Sequence, residues 1–559
     1  MTGPTNLRSG AQILVDALVQ HGTDMVFCVP GESYLSVLDA LHDAHKVRVV
    51  TCRQEGGAAM MADAYGKLQG KPGICMVTRG PGATNASAGL HVAMQDSTPM
   101  ILFIGQVARD AIEREAFQEI DYRRMFGQVA KWVAQIDDAA RVPEFIARAF
   151  SVATSGRPGP VVLALPEDML TEKADVPDAR PYRPVESFPG PSQMAEFREL
   201  LAGAKRPLLV LGGAGWDKAA VAGIEAFAAA NHLPTACSFR RQDRFDNRHP
   251  CYAGDVGLGI NPKLAQRIRD CDLLISLGAR LGENPSSGYT LLDIPIPKQR
   301  LVHIHPDPEE LGRVYQPTLA IPATPRGFIS QLSSLAPIAN PPWLDWTKAA
   351  AQDYAAWRKP PRSPGAVQMG EIMEWLEANL PRDAILCNGA GNYAVWLHRF
   401  HQYGGFGTQL APTSGSMGYG FPAAVSGKLQ YPQREVVCFA GDGCFQMTGQ
   451  EMGTAVQEGA NLIVIVVNNG MYGTIRMHQE RHYPGRVVAT ELKNPDFAAL
   501  ARAYGASGEI VERTEDFAAA FERARAAGKP ALIELRLDPE ALTVSQSLSE
   551  IRSAALAKG

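Results

Sequence analysis

Glu435-Val436-Val437-Cys438-Phe439-Ala440-Gly441-Asp442-Gly443 decides the fold. An apolar run of strand length ends in a carboxylate flanked by two glycines. Asn469, the second residue of Asn468-Asn469, follows Asp442 by 27 residues, directly after a second apolar run, Leu462–Val467. That interval suits one helix and one buried strand, the repeating unit of a parallel sheet. Two strands then end near one another, one in a carboxylate and one in an amide oxygen. Magnesium favours such hard oxygen ligands and commonly shares them with phosphate oxygens. Asp-Gly alone marks many surface turns, so the weight rests on the spacing, the strand and the paired asparagines together.

The same alternation of apolar runs and helical patterns continues from end to end, from Met25–Val29 to Ala531–Leu535. It predicts an α/β protein of parallel sheets covered by helices. Two proline-rich stretches, 175–193 and 335–367, divide the runs into three groups and read as semi-rigid linkers. Three domains follow, at residues 1–174, 194–334 and 368–545, each of ordinary size.

Composition excludes several classes. The net charge of −4 offers no basic stripe for nucleic acid. No run of eighteen apolar residues exists to span a membrane, and no secretory signal pattern opens the chain. Nine scattered cysteines without a CxxC pair read as reduced core residues, so a cytoplasmic location is expected.

Further motifs accompany the first. Thr413-Ser414-Gly415-Ser416-Met417-Gly418-Tyr419-Gly420 concentrates glycines that let backbone approach a ligand. Gly391-Asn392 follows the run ending at Cys387, where turn amides make an anion site. Arg53-Gln54-Glu55-Gly56-Gly57 opens a helix rich in Ala and Met; read alone, Glu55 is a favourable charge on a helix dipole. Val29-Pro30-Gly31-Glu32, Gly80-Pro81-Gly82-Ala83-Thr84-Asn85, Gly105-Gln106-Val107 and Ala116-Phe117-Gln118-Glu119 complete the set.

Together these motifs resemble the thiamine diphosphate enzymes, and within them the acetolactate synthase (acetohydroxyacid synthase large subunit) branch. The resemblance covers nearly the whole chain. It implies a thiamine diphosphate-binding fold in the first and third domains, taking the pyrimidine and the diphosphate respectively, with a nucleotide-type α/β domain between them. The implied cofactor-binding residues are Pro30, Gly31, Gly391, Asn392, Gly415, Met417, Gly441, Asp442, Gly443, Asn469 and Met471. Asp442, Asn469 and the Met471 carbonyl would hold Mg²⁺. Gly415 would accept from the aminopyrimidine, and Met417 would bend the cofactor, against the plain alternative that it fills a core. Glu55 would share a proton with the pyrimidine ring, a task that favours a carboxyl withdrawn from water, and Gln118 would face the substrate. Lys131 is placed near the entrance or on the solvated surface, and His91 reads as a satisfied core histidine.

The implied activity is decarboxylation of a pyruvate-like 2-keto acid with carboligation to a second carbonyl, by a homodimer or homotetramer. Whether a regulatory subunit binds is left open. Three departures from the branch bear on this. Leu281-Gly282-Glu283-Asn284-Pro285 follows Leu277-Gly278-Ala279-Arg280, and Phe239-Arg240-Arg241-Gln242-Asp243 replaces a small-residue loop, so FAD is an open candidate only. His478 stands where the biosynthetic synthases carry a tryptophan. The alternatives are an FAD-free lyase or decarboxylase of the benzaldehyde-lyase or oxalyl-CoA-decarboxylase kind, and a non-catalytic cofactor-binding relic. An acyl-CoA substrate would call on Arg240, Arg241 and Arg244 at the central rim.

Overall fold

The computed structural model describes residues 7–557, so residues 1–6 of the first predicted domain lie outside the described residues. Three six-stranded sheets, each parallel throughout, absorb the apolar runs. The first uses Met25–Cys28, Arg48–Thr51, Gly73–Val77, Met100–Gln106, Trp132–Gln135 and Pro160–Pro166. The third uses Ile385–Asn388, Gln409–Leu410, Val436–Gly441, Ile463–Asn468, Ser507–Val511 and Ala531–Arg536. Numbered along the chain, both sheets have the spatial order 2-1-3-4-6-5. The central sheet, from Pro207–Leu211 to Leu319–Ile321, runs 3-2-1-4-5-6 instead. A short antiparallel pair, Leu7–Ser9 with Lys173–Asp175, stands apart from all three.

Residues 7–185, with Val425–Gln430 and Gly453–Glu458, form one compact unit; the other described residues form a second, holding the central and third sheets. Buried strands on both faces explain why the runs are continuous rather than alternating. In Ile463–Asn468 the five apolar side chains are all buried, each stabilising by about 1.5–3 kcal/mol. The helix Glu55–Gln69 is buried nearly all round. Its Lys67 ammonium reaches Asp63 one turn back at 2.7 Å and Asp96 on the helix Pro81–Asp96, so these enclosed charges are compensated. All nine cysteines are free and buried.

Residues 176–190 carry neither helix nor strand. The stretch 335–367 departs from the linker reading, because it contains the helix Leu344–Trp357. Trp343 is fully buried and donates to Asn231 O at 2.9 Å, while Trp346 donates to Pro207 O at 3.0 Å. Prolines on both sides masked a helical pattern of Trp343, Thr347, Ala350 and Tyr354 that closes the central core.

Candidate active site

In an open parallel sheet, ligands collect beyond the carboxyl ends of the strands where the strand order reverses. In the third sheet that point lies between Ile385–Asn388 and Val436–Gly441. A cleft of about 260 Å³ opens there. Gly391, Asn392, Gly415, Met417, Gly441, Asp442, Gly443, Asn469 and Met471 all line it, with Tyr393, Tyr472 and Thr474. Thus every third-domain residue that the resemblance marks for cofactor binding comes to one place, whereas His478 is exposed and outside the lining. Gly415 has φ +70° and open space where a Cβ would stand. Met417 is half-buried, packed on the domain core at one side and facing the cleft at the other. The Asn392 side chain is committed to the rim, accepting from Thr474 at 3.0 Å and donating to Leu542 O at 3.2 Å. Its carbonyl accepts from Val395 N at 3.1 Å, which leaves its N–H, at the start of the helix Tyr393–Phe400, for a ligand.

Register explains the 27-residue interval. Gly441 lies opposite Val467 on the neighbouring strand, so Asp442 and the paired asparagines leave the sheet together. Asp442 is 3% exposed. Its carboxylate accepts from Gly443 N at 2.8 Å, Gly470 N at 2.9 Å and Asn494 Nδ2 at 2.7 Å. Burial raises its pKa above the ordinary carboxylate value, and these donors pull it back down. The two asparagines differ in use. Asn468 accepts from Asn494 at 2.8 Å and donates to the buried Glu534 at 2.8 Å, which fixes it in the framework. The Asn469 side chain forms no hydrogen bond among the described residues. Met471 pairs with Glu491 in an isolated antiparallel bridge that uses Gly470 O and Tyr472 N. Its own N–H therefore points away from that bridge, toward Asp442, and its carbonyl shares that side. A buried carboxylate, a free amide oxygen and a free carbonyl fit a hard cation that takes its other oxygens from a ligand. Among the described residues no group of three or more His, Cys, Asp or Glu is placed to hold a metal.

In the first unit, Glu55 begins its helix at the carboxyl edge of the sheet. It is half-buried, and its Oε2 accepts from Asn85 Nδ2 at 2.9 Å. Pro30 is exposed at the end of the neighbouring strand Met25–Cys28, with Gly31 half-buried against Thr78. Gln118, at φ +65°, packs on Gly80. The preceding carbonyl, Phe117 O, accepts from the buried Arg79 Nε at 3.0 Å, and Arg79 Nη1 bonds Glu167 at 3.1 Å.

The chain matches known proteins along its length. Residues 8–125 match the thiamine pyrophosphate enzyme N-terminal TPP binding domain, 194–332 the central domain and 389–535 the C-terminal TPP binding domain. It is 32% identical to the acetolactate synthase isozyme 2 large subunit of Escherichia coli (strain K12), over 95% of this chain and 96% of that protein. Identity is 33% with the acetolactate synthase large subunit of Parasynechococcus marenigrum (strain WH8102), over 92% of this chain and 86% of that protein. The chain belongs to the thiamine pyrophosphate enzymes. Its first and third sheets, alike in strand order, are the two TPP-binding domains of this enzyme.

Several expectations about this thiamine pyrophosphate enzyme need correction. Arg240, Arg241 and Arg244 are not at a rim: each is buried, with Arg240 Nη1 donating to Pro412 O at 2.6 Å and Arg244 paired to Asp243 at 3.0 Å. The loop that carries them folds inward against the third sheet's Gln409 and the neighbouring His398. His91 is exposed rather than a core residue, because its helix turns that face outward. Lys131 is not a free surface charge; its ammonium donates to Val152 O at 2.5 Å and Ser155 O at 2.7 Å, capping the C-terminal end of the helix Val142–Thr154. Sequence reading missed Asn494, 52 residues beyond Asp442, brought back by the Met471–Glu491 bridge. Among the described residues no helix is long and apolar enough to cross a membrane.

Proposed function

We propose that this enzyme decarboxylates a 2-keto acid of the pyruvate class and joins the remaining acyl unit to a second carbonyl, as an acetolactate synthase does. The convergence of nine sequence-marked residues on one cleft carries the reading, supported by likeness to acetolactate synthases over 95% of the chain. Bound thiamine diphosphate supplies the carbon nucleophile and the electron sink that release of carbon dioxide requires.

The protein's own groups divide the remaining work. Asp442, Asn469 and the Met471 carbonyl would hold Mg²⁺, and backbone amides at Gly391 and Asn392 would bind the diphosphate. Met417 would pack against the cofactor, and the Gly415 carbonyl would accept a hydrogen bond from its pyrimidine. Pro30, Gly31 and Glu55 of a first domain would bind that pyrimidine, and Glu55 would share a proton with it. Gln118 orients the substrate. A second copy of the chain completes the site in this reading, as a dimer or a dimer of dimers. Exposure of Phe117 (71%) and of Val488 (69%) supports such a partner. The acyl-CoA alternative loses its anchor with the burial of Arg240, Arg241 and Arg244.

The test is acetolactate formation from pyruvate by purified protein with thiamine diphosphate and Mg²⁺. Product should form, and Glu55→Gln should lower the rate by about 100- to 10,000-fold with cofactor binding retained by calorimetry. Tight cofactor binding with neither carbon dioxide nor acetolactate from pyruvate would overturn the choice of donor.

A further inference from the structure

The central sheet has the strand order of a dinucleotide-binding domain, with its reversal between Pro207–Leu211 and Leu273–Leu277. The mouth of that crevice is formed by Gly212-Gly213-Ala214-Gly215-Trp216 and by Gly278-Ala279-Arg280. We infer that this crevice is closed by the chain's own residues and that the enzyme works without a flavin dinucleotide.

Five observations carry the inference. The two glycine turns pack on each other rather than on a slot: at Gly213, φ +71°, an added Cβ would stand 1.9 Å from Gly278 O. Gly212 is pressed equally closely between Ala279 and Ser238, with an added Cβ 2.8 Å from each of their Cβ atoms. Ser238 also ends the second strand, where a dinucleotide fold places the carboxylate that holds a ribose. Trp216 folds back over its own turn, its indole N–H donating to Gly212 O at 2.8 Å with 4% exposure. An added Cβ on Gly278 would meet Pro325 at 3.0 Å and the Trp216 nitrogen at 3.5 Å, so these two rings cover the turns.

The last two observations concern the phosphates. The helix Lys218–Asn231 follows the first turn, and its N-terminus is where a diphosphate would dock. Asp217 already caps it, accepting from Ala220 N at 2.7 Å; that carboxylate uses the amide and repels a second anion. At the far edge, the helix Pro325–Leu332 is capped by Thr324, which accepts from Gly327 N at 3.0 Å. Ser187 O lies over the same turn and accepts from Thr324 N at 3.1 Å. At each helix N-terminus the third-residue amide is already taken by a side chain of the chain itself, and at the first that side chain is an anion.

The experiment is to incubate the full-length enzyme with FAD, thiamine diphosphate and Mg²⁺, pass it through gel filtration, and count both cofactors in the acid-soluble fraction. The expected result is thiamine diphosphate close to one per chain with no flavin above the blank, and a melting temperature raised by thiamine diphosphate but not by FAD. Flavin retained at about one per chain overturns the inference. The flavin count does not depend on which keto acid is turned over, so its failure and that of the catalytic proposal are told apart.

Discussion

The third and central sheets each present a reversal of strand order with glycine turns at its carboxyl edge, yet one is a cleft and the other is packed shut. In the third sheet Gly415 faces open space, and the charged residue at the strand end, Asp442, is aimed inward with three hydrogen-bond donors around it. In the central sheet the turns touch backbone to backbone, and Trp216 and Pro325 cover what remains. Topology therefore provides the opportunity for a ligand, and a few side chains at the strand ends decide whether it is used.

The largest effect that would sharpen this contrast is Asp442→Ala. It removes the carboxylate that, among the described residues, alone brings negative charge to the cleft lining, and cofactor affinity should fall by more than about 100-fold, beyond the usual effect of losing an outer partner of a metal ligand. Isothermal titration with thiamine diphosphate and Mg²⁺ measures it. Next comes Trp216→Ala, which should cost about 3–5 kcal/mol of stability through the cavity it leaves, while cofactor affinity stays at the wild-type value. Denaturant unfolding gives the first number. A large loss of cofactor affinity in that variant would break the contrast, since the central crevice would then be serving the third-domain site.

Asn494→Ala is a smaller perturbation. Asn494 donates to both Asp442 and Asn468, so its loss should weaken Mg²⁺-dependent cofactor binding by about 10- to 100-fold. Unchanged binding would show that Gly443 and Gly470 N–H groups orient Asp442 without help.

Legibility in the sequence followed the range of the interactions. Asp442, Asn469 and Gly391 could be read because each sits at the end of an apolar run, and parallel pairing carries all such ends to one edge. Asn494 could not be read, since nothing in its neighbourhood announces the Met471–Glu491 bridge that returns it. Arg240, Arg241 and Arg244 misled because charge density on a loop normally means solvent. Here their carbonyl and carboxylate partners, Pro412 O among them, come from more than a hundred residues away or from the loop itself. The helix Leu344–Trp357 was concealed by prolines that flank rather than interrupt it. Of the two asparagines in the pair, the bonds of Asn468 to Asn494 and to Glu534 on the neighbouring strand reveal it as the structural one.

The last prediction concerns what keeps the third cleft open. The helix Gly473–His482 lines the cleft with its first turn and is anchored from the outside at its last. There Glu480, fully buried, accepts from Arg552 at 2.8 and 2.7 Å, from Arg476 at 2.9 Å and from Gly485 N at 2.9 Å. Arg552 belongs to the helix Leu548–Leu556, whose Leu548 and Ile551 pack with Met471 and Met477. These bonds, led by Arg552, hold the Glu480 carboxyl at about 2 against an ordinary 4.5. Between those values the unfolded chain binds the proton and the folded chain does not, so stability rises with pH across that window. The contribution is complete above 4.5 and is lost as pH falls toward about 2. At neutral pH there is no change to see; on acidification the wall helix should loosen and a component of acid unfolding should follow. Arg552→Met should move that component to higher pH. An acid limb that stays where it is in the variant would mean that the wall is held by Met471, Met477, Leu548 and Ile551 alone, and that the cleft, like the central crevice, is shaped chiefly by apolar packing.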